Sequence, residues 1–493
     1  MNKKIIAAFL LLIFTSYDAS AFCGFYVSKA DGTLKNKTSQ VILVRDGNRT
    51  VITMSNDFKG DVTDFAMVVP VPSVLKKSDI KVVEADLFQR LNDYSQPRLV
   101  EYYDDNPCER RVYDKMEAKS MQDVSVMSPS AIKENVNEQY KVKIEAEYTV
   151  GEYDIVILSA EESNGLYKWL TANKYKIPKG AEEVLEPYIK SNMKFFVVKV
   201  NVEEQENLGF EQLRPLQIRY TSPKFMLPIR LGMANADGDQ DMIVYAFTKN
   251  GRIESTNYRT VQMPTGKNIP LFVQKNFGSF YANLFQHQWQ KENQSVSFVE
   301  YAWDVSPANF MKCDPCVSNP PNYEDLKKAG VWWLGKDVYE EYVNEYNKEK
   351  NQNVFFTRLH IRYNRKSFAQ DLVFQETLNR ENFQSRYIIT HPATGNLKCS
   401  EGQQYLKQLK ERRKKEMDML VYLTGKSFED WDVVMANETE SMTYDTSYQS
   451  IAKNFKPGSV HPIEKGKNIF LASMALISLL SMISFRRKKQ NIG

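Results

Sequence analysis

Residues 41–54 read VILVRDGNRTVITM. Two apolar runs, 41–44 and 50–54, flank a polar stretch that contains Gly47. Runs of this kind favour strands, and a short glycine-containing connection between two of them is typical of a β-hairpin. We therefore predict that this segment folds as an antiparallel hairpin and that much of the chain is β-structure.

The same patterns recur further along the chain. Residues 140–148 and 153–158 predict a second hairpin, which turns at Gly151. The run 65–69 leads into Pro70, which indicates a strand end or a sheet edge because proline donates no backbone hydrogen bond. Further strands are predicted at 193–201, 216–220, 225–232 and 242–248.

Helical periodicity and capping residues predict several inserted helices. They span 84–94, 165–173, 181–190, 276–290 and 403–423. For the last of these we expect Ser400 and Gln403 to form a capping box and Gly425 to end the helix. The predicted fold class is α+β, with a predominantly antiparallel β ectodomain, inserted helices and one C-terminal transmembrane helix.

The first 21 residues have the order of a secretory signal peptide. Lys3 and Lys4 precede an apolar run at 5–14, and Ala19-Ser20-Ala21 ends the segment. The apolar run of about ten residues is shorter than the roughly 20 that cross a bilayer as a helix. This length favours cleavage after Ala21.

The C-terminal end has the features of a membrane anchor. Residues 469–485 carry no charge, and four cations, 486–489, follow at once. This order predicts a single-pass transmembrane helix at 468–485 with the basic tail 486–493 in the cytoplasm. Sorting signals that are cut have a similar order, but no recognition motif precedes this one, which favours simple anchoring. We expect the large N-terminal part in the periplasm or at the cell surface.

Between the two membrane signals we expect a folded ectodomain and a linker. A β-rich lobe is predicted at 22–310, and a second α+β segment with a C-x-x-C motif and a long helix at 311–431. Residues 432–467 are polar and show no periodicity. Such composition predicts a linker that holds the folded part away from the bilayer.

The net charge excludes one class of partner. The chain carries +4, of which the leader contributes +1 and the basic tail +4, so the part between them carries −1. Binding of nucleic acid needs a basic surface that releases counterions. A nearly neutral ectodomain therefore gives no support for a nucleic-acid partner.

Five cysteines remain to be explained. In an exported protein disulfides are expected, and we take as candidates Cys313, Cys316, Cys23 and Cys108. The motif Cys313-Asp314-Pro315-Cys316 resembles the redox element of thioredoxin-like enzymes, although the prolines at 320 and 321 argue against the helix that would activate it. Zinc ligation is a third interpretation, with Cys399 or His391 completing a set, but no second C-x-x-C supports it.

A cluster of acidic residues invites a calcium interpretation. The candidates alternate around Gly238 and are Asp237, Asp239 and Asp241. Aligned as an EF-hand loop, the segment has Gln240 where glycine belongs and Ala246 where glutamate belongs. A solvated turn is the favoured alternative.

The familiar catalytic patterns do not occur. The four histidines form no H-E-x-x-H, and no G-x-S-x-G is present. His360 lies in an apolar run and is interpreted as a packed strand residue; Trp332 and Trp333 are interpreted as core residues, with a ligand platform as the alternative. We predict no catalytic residue and no cofactor, and an enzyme is the less favoured class.

Several segments together resemble one bacterial family, domain of unknown function 2330. They are Phe22-Cys23-Gly24-Phe25-Tyr26-Val27, residues 65–72, Asn257-Tyr258-Arg259-Thr260-Val261, Cys313-Asp314-Pro315-Cys316 and Leu372-Val373-Phe374-Gln375-Glu376. The similarity extends from Cys23 to about Trp431. The resemblance implies a signal peptide, placement in the bacterial envelope and one continuous evolutionary unit, and it implies no activity.

Two functional hypotheses follow. The first is a membrane-anchored binding or scaffold module of the cell envelope, with an envelope protein as its possible partner and its small-molecule ligand unknown. The second is an envelope thiol-redox or metal-dependent enzyme centred on Cys313 and Cys316. Thiol mapping discriminates them, because a stable bridge between these two cysteines without metal contradicts the enzyme.

Overall fold

The computed structural model describes residues 25–26, 38–55, 66–109, 142–173, 175, 181–208, 213–234, 238–307, 318–334, 352–427 and 430–431. The predicted hairpin at 41–54 is confirmed. Strand β2 lies before its turn and β3 after it, and they pair antiparallel with Val41 opposite Met54 and Asp46 opposite Arg49. Gly47 in the turn has a φ of +55°, a left-handed conformation that glycine adopts without steric cost.

The described strands follow one another along the chain. They are β1 (Phe25–Tyr26), β2 (Thr38–Asp46), β3 (Arg49–Met54), β4 (Ala66–Val71), β5 (Ile80–Val82), β6 (Arg98–Tyr103), β7 (Val142–Val150), β8 (Tyr153–Ala160), β9 (Lys194–Val200), β10 (Leu216–Thr221), β11 (Met226–Leu227), β12 (Gln240–Thr248), β13 (Ile253–Ser255), β14 (Arg259–Gln262), β15 (Lys267–Asn268), β16 (Val296–Asp304), β17 (Phe355–Tyr363), β18 (Leu372–Glu376), β19 (Phe383–Gln384) and β20 (Arg386–His391).

The described helices are fewer. They are α1 (Asp86–Ser95), α2 (Ser163–Ala172), α3 (Ala181–Lys190), α4 (Val202–Leu208), α5 (Arg230–Ala234), α6 (Phe277–Lys291), α7 (Tyr323–Ala329) and α8 (Ser400–Thr424), with short 3₁₀ turns at Lys77–Asp79 and Leu271–Asn276.

The strands form four sheets. The largest has nine strands in the order β14-β16-β17-β12-β2-β3-β10-β5, with β19 beside β16, and a five-stranded sheet has the order β1-β4-β9-β8-β7. Two three-stranded sheets have the orders β11-β18-β13 and β15-β20-β6. Most neighbours are antiparallel; β2 with β12, β14 with β16, and both pairs of the β15-β20-β6 sheet are parallel. A mixed α+β fold dominated by sheets is therefore confirmed.

The core lies between the two large sheets. Side chains alternate across a strand, so Val41 and Leu43 of β2 point to the same side. There they pack against Ile155 of β8 and Val198 of β9 in one buried cluster. Full burial of one such side chain stabilises the fold by roughly 1.5–3 kcal/mol.

Helices cover the outer faces of both large sheets. On the nine-stranded sheet, Ile42 packs with Leu87 of α1 and Leu326 of α7. Further along the same sheet, α6 and α8 pack over β16. On the five-stranded sheet, α2 and α3 cover Val197 of β9. The layers thus run helix, sheet, sheet, helix.

Two local predictions are wrong. Of the strand predicted at 225–232 only Met226–Leu227 is a strand, and Arg230–Ala234 is helical. The reason is a long-range contact, because the Asp371 carboxylate accepts the backbone N–H groups of Ile229 and Arg230 at 2.9 and 3.1 Å and so caps the helix.

The cap predicted for the long helix also differs. The N-cap of α8 is Cys399, whose sulfur accepts the Gly402 N–H at 3.2 Å, in place of a box between Ser400 and Gln403. Gly425 ends the helix in a left-handed conformation as predicted.

The nine-stranded sheet joins residues from both sides of the predicted boundary at 310/311. Strand β17 lies between β12 and β16. The predicted signal peptide 1–21, linker 432–467, transmembrane helix 468–485 and tail 486–493 lie outside the described residues. Within the described ranges, no helix has the length and apolar content to cross a membrane.

Candidate functional site

A double cleft opens at one edge of the nine-stranded sheet. The edge strand β5 pairs with β10 only along residues 216–218, so residues 219–221 continue past it. Two neighbouring clefts of about 250 and 650 Å³ form there. Arg49, Asp79 and Arg219 line both of them, so these three residues mark the junction.

The floor of the cleft follows from strand register. Arg219 of β10 lies opposite Val51 of β3, and Thr221 lies opposite Arg49. Because alternate residues share a face, Arg49 and Arg219 point to the same outer side of the sheet. Two arginines that are far apart in sequence thereby become neighbours.

One wall of the cleft is the end of α7. Asn322 caps the start of this helix, and Gly330 ends it with a φ of +103°. A Cβ at Gly330 would lie 2.7 Å from Cγ1 of Val51, so only glycine lets the chain rest on the floor here. Gln217 also holds the end of α7 against the sheet, because its side-chain amide donates to the Lys328 carbonyl at 2.9 Å. The chain then continues to Trp332.

The junction carries an arginine that stacks on an aromatic ring. The Arg49 guanidinium lies over the Trp332 ring, 4.4 Å from its centroid. No hydrogen bond or ion pair joins it to another residue that the structure describes. Burial, and next the positive charge of Arg219, lower the pKa of Arg49, with Asp79 acting in the opposite direction.

Asp79 and Arg219 hold each other in place. Arg219 Nε donates to Asp79 Oδ1 at 2.9 Å, and Asp79 Oδ2 accepts the Lys76 N–H at 3.0 Å. Both carboxylate oxygens are therefore occupied. The two terminal nitrogens of Arg219 make no hydrogen bond to any residue in the described ranges.

Two lysines complete the smaller cleft. Lys327 donates to the Leu334 carbonyl and lies over Tyr323, and burial lowers the pKa of its ammonium group. Lys81 lines the same cleft and is exposed. With four cations and one carboxylate, the cleft has the charge of an anion-binding site and too few oxygens for a metal ion.

A second charged cluster is buried beneath α6. Glu300 lies at a β-bulge in β16; its Oε2 accepts from Arg358 at 2.6 Å, and its Oε1 lies 2.8 Å from His360 Nδ1. On the other side of the imidazole, Asp241 accepts two hydrogen bonds of 2.8 Å from Arg362. The Phe285 ring stacks on His360 at 3.9 Å.

The cluster shifts the pKa values of its members. Burial acts to raise the pKa of Glu300, but the positive charges of His360 and Arg358 outweigh it and lower the pKa to about 2. Burial acts to lower the pKa of His360, and Glu300 and Asp241 outweigh it, so this pKa is raised. His360 is thus a packed residue of β17 that lies between two carboxylates, in a buried ionic cluster where removing one partner leaves another charge uncompensated.

One disulfide is described, and it pairs a predicted candidate with an unexpected partner. Cys108 bonds to Cys399, with their Cα atoms 5.9 Å apart. Since its sulfur is bonded, Cys399 offers no thiolate to complete a zinc set, for which His391 was the alternative. The other candidates, Cys23, Cys313 and Cys316, lie outside the described residues.

The structure describes two of the three calcium candidates, Asp239 and Asp241. Asp237 lies outside the described residues, Asp239 accepts from Asn364 at 2.7 Å, and Asp241 faces Arg362. No group of three or more histidine, cysteine, aspartate or glutamate side chains in the described part of the chain is placed to hold a metal ion.

Sequence reasoning missed Arg49, Asp79 and Arg219. No motif links them, and the only local signal was an arginine at the start of the second hairpin strand. It did single out Trp332, which packs edge-on against Trp333 at 5.1 Å and also lines the smaller cleft. Trp332 therefore packs against a neighbouring ring, in line with the core interpretation, and also faces a cleft, in line with the ligand-platform alternative.

Two segments that carry the family resemblance lie side by side. The Asn257 amide donates to the Asp371 carbonyl at 2.7 Å, and its oxygen accepts the Val373 N–H at 3.1 Å. Asn257 thus ties its own segment to the strand β18. The contact is structural and lies apart from the cleft residues.

Comparison with known proteins gives one match. The model of a family described as an uncharacterized protein conserved in bacteria, DUF2330, matches residues 17–375. The match ends at β18, so β20 and α8 lie beyond it. No curated protein and no solved structure matches the chain.

Proposed function

This chain belongs to the bacterial family DUF2330, and from that premise we propose that it is a membrane-anchored extracytoplasmic binding protein of the cell envelope. Its ligand is an anion held in the double cleft at Arg49 and Arg219. The anchor is the predicted helix 468–485, and the linker 432–467 holds the binding body away from the bilayer.

One observation carries the proposal: within the described part of the chain, Arg49 lacks the polar partner that other arginines have. Several other buried or half-buried arginines are joined to a carboxylate, among them Arg214 to Glu152, Arg358 to Glu300, Arg362 to Asp241, Arg412 to Asp104 and Arg413 to Glu416. Arg45 and Arg98 donate to backbone carbonyls instead. Arg49 has neither kind of partner among the described residues.

An unpaired cation beside a second cation is unfavourable. Removing a guanidinium from water costs free energy unless hydrogen bonds replace the lost ones. Repulsion from Arg219 adds to this cost at Arg49. A bound anion removes both penalties, and a guanidinium is suited to it because its N–H groups bind two oxygens of a carboxylate or phosphate at once.

Export is supported by the cysteine chemistry as well as by the leader. A disulfide between Cys108 and Cys399 persists in oxidising compartments such as the periplasm and is rare in the cytosol. Both cysteines belong to the part of the chain that the predicted topology places outside. The disulfide therefore agrees with the proposed location.

Anion binding is tested by thermal unfolding of the full mature chain in detergent. We expect inorganic phosphate to raise the unfolding temperature above that in chloride of equal ionic strength. Since one hydrogen bond to a charged group contributes about 1.5–3 kcal/mol, Arg49→Gln should weaken binding roughly 10- to 100-fold. The matched control is Arg259→Gln on β14, an exposed arginine at the opposite edge of the same sheet.

If phosphate and chloride act alike, or if Arg49→Gln and Arg259→Gln lose binding equally, the cleft is not the anion site. Location is tested separately by protease treatment of spheroplasts. Digestion of the region 22–467 supports the topology, and its protection in intact spheroplasts contradicts it.

A further inference from the structure

The position of the cation pair in the cleft specifies the kind of anion. We propose that the ligand is a phosphodiester, with its phosphoryl group on Arg49 and Arg219 and its two organic substituents in the two clefts. This inference rests on the proposed function and names the ligand class of that site.

The cation pair lies where the two clefts meet. Arg49, Asp79 and Arg219 line both clefts, so the charged centre lies between two spaces and not at the end of one. Inorganic phosphate leaves both spaces empty, and a phosphate monoester fills only one. A group with the anion in its middle and a substituent on each side fits both.

The charge of the site suits an anion. The junction contains two guanidinium groups and one carboxylate, and Lys81 and Lys327 add two cations in the smaller cleft. A phosphodiester carries one negative charge at neutral pH, so the site attracts it, and the choice between a diester and a monoester depends on the two clefts.

The walls of both clefts carry polar side chains. The smaller cleft presents Gln217, Lys81 and Trp332 to its occupant. The larger one presents the hydroxyl groups of Ser73 and Thr221, with Leu75 as an apolar contact. Such walls suit hydroxylated substituents, as in a polyol or sugar phosphodiester, and lack the continuous apolar surface that an acyl chain needs.

The test compares three soluble probes by calorimetry on the full mature chain: inorganic phosphate, glycerol 3-phosphate and glycerophosphoglycerol. We expect the diester to bind at least about tenfold more tightly than either other probe, a difference of roughly 1.4 kcal/mol. Arg49→Gln and Arg219→Gln should each weaken this binding roughly 10- to 100-fold, and Arg259→Gln should preserve it.

Two further variants test the double occupancy. Ser78→Trp fills the smaller cleft, and Ser73→Trp fills the larger one. Each should weaken the diester at least about tenfold and leave inorganic phosphate unchanged, and the retained phosphate binding shows that the junction is intact. If only one of the two variants affects the diester, the ligand occupies one cleft and the inference is wrong.

The outcomes separate the two proposals. Equal or tighter binding of the monoester or of phosphate overturns the phosphodiester and leaves the anion site standing. Binding of none of the probes overturns both. The source of the diester is distinguished by sedimentation with phosphatidylglycerol vesicles: Arg49-dependent binding identifies a lipid headgroup, and binding of glycerophosphoglycerol alone identifies a soluble or polymeric diester.

Discussion

Removal of the disulfide by Cys108→Ser together with Cys399→Ser should destabilise the folded body by about 2–5 kcal/mol, the range typical of native disulfides. The bond joins cysteines 291 residues apart in sequence. For a loop of that length, the chain-entropy relation gives about 5–6 kcal/mol at 25 °C, which we take as an upper bound.

Other contacts limit the damage. The first turn of α8 packs on the disulfide so closely that a Cβ at Gly402 would lie 2.9 Å from the Cys108 sulfur. Further along the helix, Arg412 forms an ion pair with Asp104, and Tyr405 donates to the same carboxylate at 2.7 Å. These bonds remain in the double variant, so we expect it to fold and to unfold earlier.

Urea unfolding of the wild type and the double variant measures the difference in free energy of unfolding. Wild type treated with reductant should behave as the double variant does. Reductant added to the double variant itself is the control, because any further loss comes from the other three cysteines. Destabilisation below 1 kcal/mol, or alkylation of Cys108 and Cys399 in the unreduced wild type, would refute the reasoning.

Three further perturbations have defined outcomes. Glu300→Gln leaves Arg358 buried without its counter-charge and should lower the free energy of unfolding by about 3–5 kcal/mol; a loss under 1 kcal/mol in urea contradicts the role of the pair. For His360, burial acts to lower the pKa and the adjacent carboxylates outweigh it, so the folded-state pKa lies above the ordinary value of 6.5. The stabilisation from its protonation should therefore be complete below pH 6.5 and decline as the pH rises through the raised pKa, and His360→Gln should remove this part of the pH dependence of unfolding. Gly330→Ala places a Cβ 2.7 Å from Val51 in a left-handed conformation and should lower the free energy of unfolding by about 1–3 kcal/mol. If the clash is the cause, adding Val51→Ala should recover part of this loss.

Local patterns predicted much of the secondary structure. The helix predicted at 181–190 is α3 with the same bounds, because its apolar residues recur with helical spacing and Lys190 closes its last turn. The hairpin formed by β7 and β8 and the end of α8 at Gly425 could also be predicted, since each depends on neighbours within a few residues. Interactions between residues of one segment therefore produce a pattern in the sequence of that segment.

Long-range contacts produced no pattern in the local sequence that could be used for prediction. The stretch 225–232 is apolar enough for a strand, yet Asp371 turns its second half into a helix by capping it from a distant part of the chain. Likewise, five cysteines do not reveal their connectivity, and the pairing of Cys108 with Cys399 depends on where β6 and α8 meet.

The cleft is the clearest case of a feature that the local sequence does not predict, because one arginine of the hairpin is buried and another lies in the cleft. Arg45 and Arg49 stand four residues apart in the same polar turn, and nothing local distinguishes them. Arg45 is buried and hydrogen-bonded, whereas Arg49 points outward over Trp332. Only the register of β3 against β10 brings Arg219 beside Arg49, and only the left-handed turn at Gly330 brings Trp332 above it. An unpaired charge is a property of what surrounds it, so the anion site arises where three distant segments meet and had to be found in the fold.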